Sequence, residues 1–279
     1  MNVRKKIITK LLKKNASLRI DKFINECLNE KNSYYINKNP IGKKYDYITA
    51  PEISQMFGEI IGLYILNYWI NNINSKFNLI ELGPGKGTLL KDILRVSKLK
   101  ESFLESANIT LIDKNIQLIK LQKEVLNSFY IKNVKWKEGF KTNSLLPSII
   151  YSNEFFDCLP IRQFYKKKIW LEKYITYNTK ENYFMLTDKI VKNNKIKKEL
   201  LQFEKNRIAE ISSARQKIFN KLCKHINRNK GIIITIDYGY NKLINNFSLQ
   251  TVYRHKRTHL FDNIGKQDIT SFVNFNELI

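Results

Sequence analysis

Apolar residues recur at two different periods along this chain, and the change of period divides it. Ile7, Ile8, Leu11 and Leu12 lie at helical spacing, and a second helix-like segment covers residues 20–28. After a polar loop, Ile53, Phe57, Ile60, Ile61, Tyr64, Ile65 and Tyr68 mark a long amphipathic helix through about Ile73. Thr49-Ala50-Pro51-Glu52 ahead of it reads as a capping box, with Thr49 bonding the amide three residues on and Glu52 reaching back. Pro51 suits the first turn, where its missing N–H costs little. From residue 78 the period changes. Residues 78–82, 109–112, 134–137, 148–153 and 231–237 are short β-branched runs bounded by glycine or polar turns, with helical patterns over 88–98 and 115–127. Such continuous runs suit a parallel sheet buried on both faces, and the alternation predicts a doubly wound α/β domain.

One long interruption, residues 161–230, breaks the alternation. Its aromatic first half (Phe164-Tyr165, Ile169-Trp170-Leu171, Tyr174-Ile175, Tyr183-Phe184-Met185-Leu186) predicts antiparallel strands, and residues 195–226 read as helical. An α+β cap at the carboxyl edge of a parallel sheet is where substrate selectivity usually sits. The expected division is therefore an N-terminal helical region (1–76), a ligand-binding α/β domain (77–160 and 231–279) and an inserted substrate cap (161–230).

The first strand carries the most specific chemistry. Asn78-Leu79-Ile80-Glu81-Leu82 runs into Gly83-Pro84-Gly85-Lys86-Gly87-Thr88. Three glycines between a strand and a helix demand close backbone approach to something nucleotide-like. A Walker loop is excluded, because Lys86 is followed by Gly87 rather than by Ser or Thr. A dinucleotide fingerprint fails too, because the third glycine comes one residue early. Glu81 places a carboxylate where a pyrophosphate would need the positive helix end to itself. It suits a ligand with a cationic end, such as S-adenosylmethionine, which has an ammonium, a sulfonium and no phosphate. Asp113, at the end of the second run, can accept both hydrogen bonds of a ribose diol, which serves NAD and S-adenosylmethionine alike.

Two carboxylates follow the fourth run, in Asn153-Glu154-Phe155-Phe156-Asp157-Cys158-Leu159-Pro160. If this segment turns helically, Glu154 and Asp157 share a face. Such a pair could grip a guanidinium, orient its lone pair and take its proton during methyl transfer. The alternative is an N-cap and a salt bridge. Asp237, in Asp237-Tyr238-Gly239-Tyr240, is a third acid at this edge, and both acceptor support and helix capping fit it.

Charge changes the picture less than its size suggests. The chain carries 49 basic and 25 acidic residues, net +24. Only nine of the 49 are Arg, and the Lys residues are scattered, without the clustered face of a nucleic-acid reader, so nucleic acid is not the expected partner. Cys27, Cys158 and Cys223 form no C-x-x-C pair, and a sparse, odd count fits a reducing compartment. His255 and His259 have i, i+4 spacing but no further ligand, so a surface pair rather than a metal site is expected. No apolar run is long enough to span a bilayer. The first twenty residues hold seven basic and no acidic side chains, like a presequence. The second helical segment that follows without a break favours an ordinary amphipathic helix.

Four separated motifs, in order and with similar spacing, resemble the MidA family of class I S-adenosylmethionine-dependent methyltransferases of bacteria and mitochondria. They are Tyr47-Ile48-Thr49-Ala50-Pro51-Glu52-Ile53-Ser54-Gln55, Glu81 through Thr88, Asn153 through Pro160, and Asp237-Tyr238-Gly239. Arg254-His255-Lys256 and residues 268–275 resemble its downstream signature, so the likeness covers nearly the whole chain. The resemblance implies a Rossmann-like methyltransferase fold. It implies cofactor contacts from Glu81, Gly83, Gly85, Gly87, Asp113 and Asn153, with the Thr49 loop closing nearby, and makes Glu154 and Asp157 the catalytic carboxylates. Mitochondrial members are linked to symmetric dimethylation of an arginine in a respiratory complex I subunit and to assembly of that complex. A protein arginine is therefore the expected acceptor and S-adenosylmethionine the expected cofactor. The bacterial cytoplasm or mitochondrial matrix is the expected compartment, and a homodimer is compatible. An RNA or small-molecule methyltransferase, a cofactor-binding assembly factor without turnover and an NAD-dependent reductase are the alternatives. Two departures stand out. Ser33 replaces the family's glycine before Tyr34-Tyr35, and family members continue past the position of Ile279. The last strands of the sheet are therefore expected to be missing, leaving the fifth strand as an open edge.

Overall fold

The computed structural model describes residues 3–278 apart from 32, 38, 43, 130, 132, 133, 142, 206, 242 and 243. The chain divides into two compact units. One comprises Asn37–Phe155 and Ile218–Asp237, the other Met1–Ile36, Phe156–Lys217 and Tyr238–Ile279.

The first unit is built on five parallel strands: β1 (Phe77–Leu82), β2 (Ala107–Ile112), β3 (Val134–Lys137), β4 (Ser148–Asn153) and β5 (Gly231–Ile236). Their order is β5-β4-β1-β2-β3. This is the α/β fold that the runs predict. All six residues of β1 are buried, as expected for a central strand covered on both faces. Helices α1 (Gln55–Asn72), α2 (Thr88–Ser97) and α3 (Ile116–Asn127) accompany the sheet. Trp69 of α1 meets Phe103 edge-on at 5.4 Å between centroids, and Phe77 lies 5.0 Å from Phe103, which anchors the core. Among the described residues β5 pairs with β4 alone.

The long helix departs from expectation twice. Ser54 is extended (φ −141°, ψ 120°), so a short turn, Ala50–Ile53, precedes α1. The helix also lacks a polar face. Of the residues read as one apolar stripe, Ile65 is buried, whereas Ile53, Ile60 and Tyr64 are exposed.

In the second unit the aromatic insertion forms the expected antiparallel strands, Arg162–Lys166, Trp170–Asn178 and Tyr183–Ile190. Two elements differ. The helical reading of 195–226 is broken by Ile208–Ile211, which pairs antiparallel with Arg162–Lys166 and buries Ala209 and Ile211 against Phe164 and Phe203. The segment is too short to display a period, and its packing decides its conformation. Helix α4 (Ser213–Asn229) then leads to β5. Second, Leu18 and Arg19 pair with Ile175 and Tyr174, so the N-terminal helices Val3–Asn15 and Ile20–Leu28 belong with the insertion. Residues 37–76 instead join the parallel sheet, and the tail from Tyr238 joins the insertion. The observed units therefore cut across the division into 1–76, 77–160 with 231–279, and 161–230. In that tail His255 lies in the turn between Gln250–Tyr253 and Lys256–Arg257, with φ 61°, so His255 and His259 share no helix. Among the described residues no helix is long and apolar enough to cross a membrane.

Candidate functional site

β1 carries the chain to the carboxyl edge of the sheet, and residues 83–87 turn it into α2. Gly83 and Gly85 sit in the left-handed region at φ 64° and 55°, and a Cβ on either would lie 2.9 Å from a neighbour, Phe155 or Ile41. Only glycine permits both the backbone and the close cover. Gly87, also left-handed, caps α2.

Glu81 is 2% exposed. The Tyr151 hydroxyl, from neighbouring β4, donates to its Oε2 at 3.0 Å. Burial pushes the Glu81 carboxyl up to about 8, opposed by the Tyr151 bond and reinforced by the charge of Asp113. The same burial, with Glu81 beside it, raises the Tyr151 phenol.

Asp113, just past β2, is held from two directions. Its carboxylate accepts the Asn115 amide at 2.8 Å and Nε2 of Gln122 at 2.8 Å. Burial raises its pKa and these bonds oppose the rise. Gln122 is fully buried on α3. Its Nε2 also donates to the Gly85 carbonyl at 2.8 Å, and its Oε1 accepts the Trp136 indole N–H at 2.9 Å. One amide therefore ties Asp113, the glycine loop and β3 together. Sequence reasoning missed Gln122. Its signal is a lone polar residue on the Leu118, Gln122, Leu126 stripe, where an unpaired amide would be costly.

The capping box at Thr49 does not form. Thr49 occupies the N-cap of Ala50–Ile53 without a side-chain cap bond. The Glu52 carboxylate instead bonds the Lys86 ammonium and the Thr88 hydroxyl. A charged partner outcompetes a neutral amide for a carboxylate. The carboxylate at the start of α2 is thus Glu52, whereas Glu81 is bonded within the sheet.

At the end of β4, Glu154 is left-handed at φ 50°, and its N–H reaches the Ile236 carbonyl at 2.9 Å. Its Oε1 accepts Nδ2 of Asn153 at 3.3 Å and, in a long contact of 3.5 Å, the Ala50 amide. Burial raises the Glu154 pKa. The Ala50 and Asn153 bonds oppose this, and the charge of Asp237 adds to it. The Thr49 loop, Asn153, Glu154 and Asp237 therefore gather at one edge.

Residues 154–160 form bends and a turn, with Leu159 N–H bonded to the Phe156 carbonyl at 3.1 Å, and not a helix. The helical face expected to carry Glu154 and Asp157 together is absent, because left-handed Glu154 breaks the helical path. Asp157 belongs to the second unit and is buried. Its carbonyl accepts the Ser271 amide at 3.0 Å and Nη2 of Arg215 at 3.1 Å. Arg215, 2% exposed, also donates to the carbonyls of Phe156 (2.8 Å), Phe272 (2.8 Å) and Ser271 (2.9 Å). It clamps residues 156–157 to 271–272, a role that no spacing announces.

A family model described as "Putative S-adenosyl-L-methionine-dependent methyltransferase" matches residues 60–279. The chain is similar to the mitochondrial protein arginine methyltransferase NDUFAF7 of Bos taurus. The two are 33% identical over 178 residues, 56% of this chain and 40% of that protein. Its Mus musculus counterpart is 27% identical over 294 residues, 96% of this chain and 66% of that protein. The chain thus spans about two thirds or less of the length of these relatives. A protein from Burkholderia thailandensis, crystallised with S-adenosyl-homocysteine, superposes with a TM-score of 0.83 at 18% identity, over 99% of this chain and 74% of that one. At that identity the likeness is one of fold.

Proposed function

Because the chain belongs to this family of S-adenosyl-L-methionine-dependent methyltransferases, we propose that it binds S-adenosylmethionine at the glycine loop and methylates a protein arginine. The observation that carries the cofactor assignment is the Glu52 carboxylate on Lys86 and Thr88. It already occupies the start of α2 and neutralises the cation of the loop, so a pyrophosphate finds neither a free positive end nor a free lysine. A nucleoside without phosphates fits this charge balance, and Gly83 and Gly85 let Phe155 and Ile41 close over the loop backbone. Asp113, pre-oriented by Asn115 and Gln122, suits a ribose diol. Glu81, in a pocket that penalises its lone negative charge, suits the ligand's ammonium.

The bound cofactor supplies an electrophilic methyl on sulfonium. The chain's residues position the acceptor and take up its charge. Glu154 can accept hydrogen bonds from a guanidinium and receive the proton that the methylated nitrogen releases. Its raised pKa favours that uptake. Asp157 enters this reading through its motif, not through geometry. The names of the relatives support an arginine acceptor, and the family resemblance makes a respiratory complex I subunit in the mitochondrial matrix the first candidate to test.

The test combines calorimetry with S-adenosyl-homocysteine and radiolabelled methyl transfer to a lysate, with and without nuclease. Saturable binding and label that survives nuclease and maps to arginine by mass spectrometry are expected. Label lost on nuclease treatment would favour the RNA methyltransferase that the +24 charge suggests. Absence of cofactor binding sinks the proposal.

A further inference from the structure

α1 is apolar on both faces. Inward, Gly58, Gly62, Ile65, Leu66 and Trp69 are buried. Outward, Met56 is 64% exposed, Ile60 59%, Leu63 48%, Tyr64 53% and Ile70 43%. A surface helix normally sets its apolar stripe against a charged face, and a helix apolar all round is one that ends up covered. Glu59 is the single charged residue among its 18. The outward residues are also ordered. Met56, Ile60, Leu63, Asn67 and Ile70 are spaced four, three, four and three apart. That is the a/d seam by which one helix packs on another like it, with Asn67 at an a position.

We infer that this seam is a self-association surface, on which α1 of one copy packs in parallel against α1 of a second, with Asn67 facing Asn67. Three observations select a second copy. The first is area. With Ile53 just ahead of the helix, 74% exposed, six large apolar side chains stand exposed, an area on the order of the 800 Å² per partner of a standard interface. Patches of that size are rarely left open on a monomer. The second is charge. α1 contains no Lys or Arg, which a helix lying on an anionic membrane or on nucleic acid would require. The third is register. Packed antiparallel, Asn67 would meet apolar side chains and be buried without a partner, whereas in parallel two amides can bond each other. The helices are already folded on their own sheets, so pairing carries no ordering cost for the backbone.

Sedimentation velocity of the full chain over about 1–100 μM tests this. A species of twice 33.1 kDa that dissociates on dilution is expected. Ile60→Glu with Leu63→Glu is expected to weaken association at least 100-fold while the thermal midpoint of the monomer stays put. Met56→Lys, at a more exposed position, provides the same readout should the double variant fail to fold. Asn67→Cys is expected to yield a disulfide-linked dimer on oxidation, whereas Leu99→Cys, 75% exposed elsewhere, is not. A wild-type monomer throughout the range, a dimer that persists in folded Met56→Lys and the double variant, or a different protein bound in place of the second copy would overturn the inference. Association without the Asn67→Cys cross-link would overturn the parallel register.

Discussion

At Glu81 a carboxyl group gives up its hydration for one phenolic hydroxyl, and a pH dependence follows. Its folded pKa, about 8, lies above the ordinary 4.5, so the native state holds the proton over a range where the unfolded chain has released it. Stability from this group is full below about pH 4.5 and is lost as pH rises through about 8. Urea unfolding between these limits is expected to show wild type losing stability relative to Glu81→Gln. The half-buried Glu277, also pushed up to about 8, tilts both proteins equally. Parallel curves would reject a raised Glu81. Glu52 makes a second prediction. Glu52→Gln removes the charge that neutralises Lys86. Calorimetry should then show about tenfold weaker S-adenosyl-homocysteine binding and a newly measurable affinity for ADP, the counterpart of one lost ionic hydrogen bond. Continued exclusion of ADP would remove Glu52 from the selection of ligand. Glu81, the glycines and Asp113 are legible in the chain because strand, loop and helix follow one another. Glu52 on Lys86 spans 34 positions and nothing local announces it, whereas Gln122 on Gly85 spans 37 and shows only as a lone polar residue on an apolar stripe.

At the scale of elements, α3 contributes to the site through one side chain. Gln122→Leu keeps the bulk but strands the Trp136 indole, the Gly85 carbonyl and one oxygen of Asp113. A loss of about 1–3 kcal/mol in unfolding free energy is expected, together with weaker binding of S-adenosyl-homocysteine. A neutral substitution would show that water replaces the amide. Elements with a buried face are the ones the periods revealed, as in β1, β4 and α2. The failures have physical causes. Ile208–Ile211 is four residues, too few to distinguish a strand from a helix by period, and pairing with Arg162–Lys166 decides it. The stripe of α1 reads as one face because Ile60, Leu63, Tyr64 and Ile70, which point outward, are as apolar as the inward residues. The turn at 154–160 escaped because a non-glycine residue, Glu154, adopts φ 50°.

For the whole molecule, the central question is whether Glu154 turns over an acceptor. Glu154→Gln is expected to leave cofactor affinity within about twofold and to reduce methyl transfer at least 100-fold, the usual scale of a positioned proton acceptor. Retained turnover would reject its catalytic role. The fold class was readable from the order of runs. The partition into units was not, because it rests on pairings that join distant parts of the chain, such as Leu18 with Ile175 and the Tyr35 hydroxyl with Asp268, 233 positions apart.

That same threading has a consequence for how the protein comes into being. The first helices leave the ribosome early, with Phe23, Ile24 and Leu28 needing cover. Their strand partners at 174–175 follow only after on the order of ten seconds at ordinary elongation rates, and Asp268 later still. For that interval the emerging helices expose apolar surface that a nascent-chain chaperone would cover. Co-translational chaperone occupancy should rise once residue 28 is out and fall only after residue 175 has emerged.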